Sequence, residues 1–553
     1  MRVFSKKIAI FATMALTLIV PVGRASAQDA PTTVAMVAIA PLDRLLQDIA
    51  FLLRAANFPE VNGIVSIMVN QYTNGLDRSR PLGVIVKIQD GQPTPLAFLP
   101  VSNRADFFAA LELTGIVADD VGNGMFAFEA AGKSLFVKES SGWLFVGQDE
   151  KGLNNLPANP ATPIDALAKR YDLAVRVNIQ QLPEDLRNMA IDQMKTGFER
   201  SLAEQSNASD EERALNEEVG KASLAQIERM IQETEEVFLG WGVEASNHKT
   251  FIDTGVQFVS GSELAKQVEM SKDLATDFSG LILADAALSA RGTSLIPETD
   301  KTVAKNNLRN LKTQAEKQID SRDSVDPAIA AAAKKFLAAV MDVLGQTIDE
   351  GKMDIGATVT LADNKLRAII GGHVANGKTL EKEIKDFVGA LGSVPNLPKF
   401  EFDYATHNGV SLHRITAPLT IADPEAEKIF GEQATIIVGT SEKKFYISLD
   451  SAGDALIKQG VDNVQAHPNV KRTPSEMTLH VGQVLEFAQY VKPNPMLDIA
   501  IQTIQKHKAN DKVQIESKVL ARGLLYRLSI DEGVIQAIGT SAKQGAGGGG
   551  AGF

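Results

Sequence analysis

The chain contains no cysteine, and this absence excludes several kinds of protein. No disulfide can hold the fold, no thiolate can act as a nucleophile, and no zinc site can use cysteine ligands. A chain of 553 residues must therefore be stabilised by its buried apolar surface. At this length that surface is usually divided between two or more domains.

Positive charge and aromatic side chains are also scarce. The chain has 56 Lys and Arg against 68 Asp and Glu, and aromatic residues make up 6% of it. Proteins that bind nucleic acid commonly present a basic stripe with interleaved aromatics, and none occurs here. The sequence therefore argues against a nucleic-acid partner, and its acidity is unfavourable to binding at anionic lipid surfaces.

Long apolar runs are absent except at the N-terminus. Basic residues there precede an apolar run over residues 8–20, and a small-residue motif ends at Ala27. This pattern predicts a signal peptide over residues 1–27, cleaved after Ala27, and hence a periplasmic or extracellular protein. No later run is long enough to suggest a membrane span.

The chain does contain an internal repeat of β-hairpins. Apolar alternation around Asp, Asn or Gly turn residues predicts four of them, at residues 83–101, 240–259, 354–371 and 513–530. A strand and helical segments precede each hairpin, and a helix follows it. The strands begin four similar segments, at residues 37–42, 177–182, 279–290 and 475–487. The chain therefore reads as four related quarters.

Two further β segments group these quarters into halves. Residues 135–153 match residues 436–456 at a constant offset of 301, which aligns Phe145 with Tyr446 and Asp149 with Asp450. The sequence thus predicts an internally duplicated α+β fold, in which antiparallel hairpins form sheets packed by amphipathic helices.

The repeat also predicts domain boundaries. The first half covers residues 28–275, and the second covers residues 276–541. A helical hairpin at about 183–238 lies within the first half, and its apolar stripe either packs on the body of the protein or binds a partner. The Gly-rich tail at residues 542–553 is predicted to be disordered.

Residues 372–379 spell G-x-x-x-x-G-K-T, the phosphate-binding loop of P-loop NTPases. On that resemblance Gly372 and Gly377 would shape the loop, Lys378 would reach the phosphates, and Thr379 would bind magnesium. Asp450 offers the second acidic ligand that such a site needs.

The context of this motif favours a structural role. The strand before it is the second arm of a predicted hairpin, whereas a P-loop follows a strand of a parallel sheet. The corresponding turns of two other quarters have Asn103 and Ser262 where a helix begins. We therefore expect a strand-to-helix turn capped by Thr379, with no cofactor bound.

A second candidate site is a histidine cluster around a predicted turn at Asn408-Gly409. Asp403, His407 and His413 could ligate a metal ion. The two histidines need not share a face of the hairpin, so we expect surface and turn positions there and keep a metal site as the alternative. No nucleophile elbow and no H-E-x-x-H helix occurs in the chain.

Residues 97–111, "AFLPVSNRADFFAAL", and residues 135–156, "LFVKESSGWLFVGQDEKGLNNL", together with the leader, carry a family resemblance. They resemble uncharacterised exported bacterial proteins of planctomycete type. The resemblance implies an apolar strand ending in Pro-Val, then a helix, a hairpin and a short helix. It implies no activity.

These observations favour an exported, non-catalytic binding or structural protein. Its duplicated sheets would form a groove for an unknown small apolar ligand or a protein partner. One alternative is an exported, hydrolase-like enzyme whose site forms only in three dimensions. The other is nucleotide binding at residues 372–379.

Overall fold

The computed structural model describes most of the chain after the predicted leader. The described residues are 32–89, 91–130, 132–204, 210–321, 326–391, 398–418, 424–430, 433–450, 453–507 and 510–547. The predicted signal peptide lies outside them, as do residues 548–553 of the predicted tail. Among the described residues, no helix has both the length and the apolar character needed to cross a bilayer.

Many of the helices are amphipathic, and several begin at capping side chains. In chain order they are α1 Leu42–Ala55, α2 Pro59–Tyr72, α3 Arg104–Glu112, α4 Asp165–Arg170, α5 Glu184–Glu204, α6 Asp210–Glu233, α7 Glu263–Met270, α8 Glu298–Asp320, α9 Pro327–Glu350, α10 Gly377–Leu391, α11 Pro424–Phe430, α12 Ala455–Ala466, α13 Val481–Val491, α14 Pro495–Gln505 and α15 Glu532–Gly547. Asn103 and Ser262 accept backbone N–H groups at the starts of α3 and α7, as their positions in the sequence suggested.

The strands alternate with these helices. They are β1 Thr32–Ile39, β2 Leu82–Gln89, β3 Gln92–Pro100, β4 Asp119–Gly122, β5 Met125–Ala130, β6 Lys133–Ser140, β7 Trp143–Gly147, β8 Leu173–Asn178, β9 Thr234–Glu244, β10 Lys249–Phe258, β11 Ala275–Thr276, β12 Leu288–Leu295, β13 Lys352–Thr360, β14 Arg367–His373, β15 Lys399–His407, β16 Val410–Pro418, β17 Gln433–Thr440, β18 Lys444–Leu449, β19 Val470–Lys471, β20 Ser475–His480, β21 Lys512–Val519 and β22 Gly523–Asp531.

The chain folds into two compact units, each assembled from separate segments. Of the described residues, the first unit contains those up to 191, those over 231–259 and those from 525 onward, and the second contains those over 192–230 and 260–524. The segment 525–553 therefore belongs to the same unit as the N-terminal half, while most of the long helices α5 and α6 belongs to the second unit.

The first unit is built on an antiparallel sheet in the order β10-β9-β8-β1-β2-β3-β7-β6-β5-β4. One face of this sheet is covered by the segment that contains α4. The core on that face includes Phe98, Trp143, Phe145, Ile164 and Tyr171, all almost fully buried.

The second unit has an antiparallel sheet in the order β21-β20-β12-β13-β14-β18-β17-β16-β15. A 3₁₀ turn at Phe278–Leu281 and the helix α12 cover one face of it. Their core includes Phe278, Leu281, Tyr446, Ile457 and Val461. Antiparallel hairpins packed by helices confirm the α+β fold class.

Eight strands follow the same order in both units. The series β8-β1-β2-β3-β7-β6-β5-β4 of the first unit has the same connections as the series β20-β12-β13-β14-β18-β17-β16-β15 of the second. The register agrees as well, because Val137 lies opposite Val146 and Val438 lies opposite Ile447. Both residues of this pair keep the offset of 301 found in the sequence.

Three of the four predicted hairpins are confirmed, but several boundaries move. The strands β2 and β3, β9 and β10, and β13 and β14 pair as predicted. The helical hairpin ends at Glu233, because residues 234–238 already belong to β9. The strand predicted to begin within residues 279–290 begins only at Leu288, as β12. Helix α15 continues to Gly547, six residues into the tail predicted as disordered.

Candidate functional site

The P-loop-like segment 372–379 joins β14 to α10. β14 runs antiparallel to β13, with Gly372 opposite Ile355, whereas a P-loop follows a strand of a parallel sheet. Gly377 is the first residue of α10, and a Cβ atom there would lie 2.0 Å from the carbonyl oxygen of Ser441. This glycine therefore serves a close approach between two backbone segments.

The remaining motif residues bond within the protein. Lys378 Nζ lies 2.9 Å from Glu381 Oε2 and 3.3 Å from Ser411 Oγ. The N–H of Thr379 donates to Asn376 Oδ1 at 2.9 Å. Asn376 is thus the capping residue of α10, and the prediction that Thr379 caps this helix is wrong.

The first unit contains a similar strand-to-helix turn with a different sequence. Asn103 caps α3 with its side-chain oxygen. Two residues before each capping asparagine, a buried valine donates to the turn of the neighbouring hairpin. Val101 N–H bonds to the Gly142 carbonyl at 3.1 Å, and Val374 N–H bonds to the Lys443 carbonyl at 3.0 Å. The geometry of residues 372–379 therefore recurs where no G-K-T is spelled.

Asp450 and His407 were also singled out from the sequence, and each contacts a different residue outside this turn. Asp450 follows β18, is buried, and lies 3.6 Å from Arg367 Nε. His407 Nε2 lies 2.6 Å from Asp462 Oδ1. His407 is thus not brought together with Asp403 and His413.

The structure does place Asp403 beside His413, and it adds Glu381. One possible ligand atom from each of these residues lies within 4.8 Å of the other two. Asp403 and His413 come from the hairpin β15–β16, at an irregularity in its register where Asp403 has a φ of 49°. Glu381 reaches them from α10. The sequence did not point to Glu381, because it lies far from the hairpin along the chain.

Two lysines fill this cluster. Lys385 Nζ lies 2.7 Å from Glu381 Oε1 and 2.7 Å from Asp403 Oδ2. Thr440 donates its hydroxyl to Glu381 Oε2 at 2.9 Å. Burial by itself raises the pKa of Glu381, but hydrogen bonds from the two lysines and Thr440 outweigh it and lower the pKa to about 2. The ammonium of Lys385 takes the place between the carboxylates that a metal ion would need.

His413 is committed to the same network. It is 2% exposed, and its Nδ1 accepts the backbone N–H of Asp403 at 3.2 Å. Burial lowers the pKa of His413, which keeps its ring neutral near pH 7. A neutral ring with an acceptor at Nδ1 carries its proton on Nε2. We interpret the cluster as an internal ion-pair network that secures α10 to the sheet.

A second buried polar cluster surrounds Asp172, just before β8. Its side chain is fully buried, with Oδ2 accepting the N–H of Val243 at 2.9 Å and Oδ1 lying 3.1 Å from Arg44 Nη2. Asp48, one helical turn after Arg44 on α1, faces the same carboxyl. Burial raises the pKa of Asp172, and so do the hydrogen bond and the negative charge of Asp48. Together they outweigh the opposing charge of Arg44 and bring the pKa of Asp172 to about 7.

This raised pKa predicts a pH-dependent effect of Asp172→Asn. The folded state holds the proton more tightly than the unfolded state, so the stabilisation it provides is complete below about pH 4 and is lost as the pH rises through about 7. Asparagine mimics the protonated acid and keeps the acceptor for Val243. We expect the variant to be at least about 1 kcal/mol more stable than the wild type at pH 8 and no more stable at pH 4. Urea denaturation at both pH values measures this, and an equal difference at the two would contradict it.

The largest unexplained feature of the second unit is an apolar sheet face. In β13, Met353 and Ile355 are 53% and 40% exposed. The polar and small residues at the alternate positions of the strand are buried, namely Asp354, Gly356, Thr358 and Thr360. Internal bonds explain the buried set, since Thr276 Oγ1 lies 2.6 Å from Asp354 Oδ1. The usual distribution of apolar and polar residues is thus inverted in this strand.

The same inversion continues across neighbouring strands. Residues directly opposite one another form an apolar row across six strands: Ile515, Met477, Ala290, Ala357, Ile370 and Ile447. A second row runs beside it: Val513, Leu479, Leu288, Val359, Ala368 and Leu449. All twelve are half-buried or exposed. We call these two rows the apolar face of the second unit.

The first unit has a corresponding row at matching sheet positions. It consists of Leu239, Val175, Val37, Val84, Ala97 and Val146, again opposite one another in register. Leu239 is 51% exposed and the others are half-buried. We call this row the apolar face of the first unit. The sequence showed the alternation in these strands, but alternation alone does not tell which face is buried.

Comparison of the chain with models of protein families, with curated proteins and with solved structures gives no match.

Proposed function

We propose that this is an exported, non-catalytic binding protein whose two apolar faces each hold a long apolar ligand of the acyl-chain type. The observation that carries the proposal is the row of six apolar side chains, one from each of six adjacent strands, present in both units and left half-buried or exposed. A continuous row of apolar side chains that stay partly exposed favours a binding surface.

The dimensions of the face favour an elongated occupant. Strands of a sheet are about 4.8 Å apart, so a row across six strands is about 24 Å long. The hydrocarbon core of a bilayer is about 30 Å thick, or roughly 15 Å for each layer of acyl chains. One extended acyl chain therefore fits along the row. The rows carry no charged side chain, which suits a ligand without charge along its length.

The polar clusters support binding over catalysis. Glu381, Lys385 and His413 bond to one another or to neighbouring backbone, and none of them presents an unused acid, base or nucleophile to the apolar face. The nucleotide alternative at residues 372–379 loses its geometric basis, because the motif lies at an antiparallel strand and Lys378 is paired with Glu381.

Export and duplication are further parts of the proposal. Export is supported by the leader pattern that ends at Ala27. A duplication of one ancestral unit is supported by the shared order of eight strands and by the constant offset of 301 in the hairpins β6–β7 and β17–β18. Under this proposal the two apolar faces are copies of one binding surface.

A binding assay tests the ligand class. We expect the fluorescent fatty acid cis-parinaric acid to bind saturably, and we expect Ile447→Asp, in the first row of the apolar face of the second unit, to weaken this binding at least tenfold. The substitution places a charge on the path of the acyl chain and removes about 1.5–3 kcal/mol of apolar contact. Since Ile447 is 42% exposed, the free energy of unfolding should change by less than about 1 kcal/mol.

Leu311 supplies the matched control. It is 56% exposed on α8, in the same unit, and is not part of the apolar face. Leu311→Asp should bind the probe as the wild type does. Absence of saturable binding by the wild type, or equal weakening by both substitutions, would overturn the proposal.

A further inference from the structure

A separate cavity of about 180 Å³ lies in the first unit, on the face of the sheet opposite the apolar row. Lys87 on β2 and Thr94 on β3 are paired across the hairpin and form one wall. Gln148, Asp149 and Lys151, which follow β7, form the other. Pro95 and Leu96 also line the cavity, and its charged groups come from two different parts of the chain.

The second unit shows how the same place is closed. The matching register positions to Lys87 and Thr94 are Thr360 and Arg367, which are likewise paired across a hairpin. The long side chain of Arg367 reaches Asp450, with Nε 3.6 Å from Oδ1, and Asp450 is 1% exposed. An internal ion pair thus occupies in one unit what is a cavity in the other.

The first unit has instead an excess of donors around the cavity. Lys87 and Lys151 form no ion pair with any residue that the structure describes. Gln148 Nε2 is buried and lacks a hydrogen-bond partner among those residues. Asp149, the one acid among the described residues that line the cavity, already accepts the N–H of Gly152 at 2.7 Å. Two ammonium groups and an unpartnered amide therefore face one carboxylate that is partly satisfied.

We propose that this cavity binds a small carboxylate ligand, held by Lys87 and Lys151 and by the amide of Gln148. Charge-assisted hydrogen bonds from ammonium groups to a carboxylate are the strongest that these donors can make. A buried amide that lacks a partner also costs free energy, which an oxyanion acceptor would recover. The site is independent of the apolar faces and of the ligand proposed for them.

A calorimetric titration of the full-length mature chain with succinate tests this proposal. We expect saturable binding that weakens in high salt, because screening reduces the attraction of the two lysines. Thr94→Arg installs the side chain found in the second unit and should close the cavity by pairing with Asp149. We expect this variant to bind succinate at least tenfold more weakly while its thermal midpoint stays the same or rises.

Two further variants keep the test decisive if Thr94→Arg does not fold. Lys87→Gln removes one ammonium from the wall and should weaken binding at least tenfold. Lys138→Gln removes a lysine of β6 that does not line the cavity, and it should bind as the wild type does. No saturable binding of succinate, equal binding by Lys87→Gln and the wild type, or binding of methylguanidinium in place of succinate would overturn the proposal.

Discussion

Replacing Asp253 by alanine is expected to lower the free energy of unfolding of the first unit by about 3–5 kcal/mol, the range found when one partner of a buried ion pair is removed. Asp253 is fully buried on β10. Arg527 of β22 holds both its oxygens, with Nε at 2.7 Å and Nη2 at 2.9 Å. The Tyr171 hydroxyl donates to it at 2.9 Å, and Arg170 lies at 3.0 Å. Alanine would leave Arg527 with Glu244 alone and Tyr171 with a buried hydroxyl that has lost its acceptor.

Two further variants separate the contribution of the buried ion pair to stability from that of a single hydrogen bond and that of a surface ion pair. Tyr171→Phe removes one hydrogen bond and should cost about 1–3 kcal/mol. Asp165→Ala breaks the pair with Lys169 on the surface of α4 and should cost less than about 1 kcal/mol. Both tryptophans, Trp143 and Trp241, belong to the first unit, so fluorescence during urea denaturation reports on that unit. A loss for Asp253→Ala no larger than that for Asp165→Ala would contradict the prediction.

The same network predicts the direction of an acid effect. Burial raises the pKa of Asp253, but hydrogen bonds from Arg527 and Tyr171 outweigh it and the net pKa is lowered. A lowered pKa means that the stabilisation is present above the ordinary carboxyl pKa of about 4 and is lost as the pH falls through the folded value. The difference between wild type and Asp253→Ala should therefore narrow in acid and stay constant from pH 6 to pH 8.

The hairpins could be predicted from sequence because their signals are local. Hairpin turns need residues that tolerate positive φ. Gly91 has such a value in one turn, and Asp363 and Asn364 have such values in another. Alternation on either side then places the strands. The strand β4 was not predicted, because it lacks such a local signal: its four residues are all exposed and show no alternation.

The assembly of the units could not be predicted, because it depends on contacts between distant residues. Arg527 and Asp253 are separated by 274 residues, and neither has a neighbour in sequence that marks it as a partner. The apolar faces were hidden for a related reason. A strand with period two has two possible inner faces. In β13 the face with Asp354 and Thr358 is the buried one, because Thr276 of β11 bonds to Asp354 and Leu281 of the 3₁₀ turn accepts the hydroxyl of Thr358.

In the candidate sites, too, local contacts could be predicted from the sequence and distant ones could not. Asp403 and His413 lie on one predicted hairpin and are indeed neighbours, whereas Glu381 comes from a helix that the sequence could not place beside them. The G-K-T sequence at residues 377–379 suggested a nucleotide site, because a sequence motif carries no information about the strands and helices around it. The antiparallel strand and the capping role of Asn376 show that the same letters here describe a turn.

Gly280→Ala is expected to lower the stability of the second unit by about 3 kcal/mol or more. Gly280 lies in the 3₁₀ turn whose Phe278 and Leu281 fill the core under α12. A Cβ atom at Gly280 would lie 2.3 Å from the carbonyl carbon and oxygen of Asn463 and 2.7 Å from the nitrogen of Val464. These are backbone atoms of α12, so no rotamer change can relieve the overlap and the helix must move away from the core.

Two other glycines calibrate this effect. A Cβ atom at Gly460 would meet the side-chain ends of Ile369 and Leu281, at 2.4 Å and 3.0 Å, so Gly460→Ala should cost less than Gly280→Ala. Gly389 is exposed in α10 with no atom within 4 Å, and Gly389→Ala should raise stability by about 0.5–1 kcal/mol through helix propensity. Pulse proteolysis in urea measures all three variants. If Gly280→Ala were as stable as the wild type, the close approach of the turn to α12 would not be part of the fold, and the covered face of the second unit would have to be packed differently.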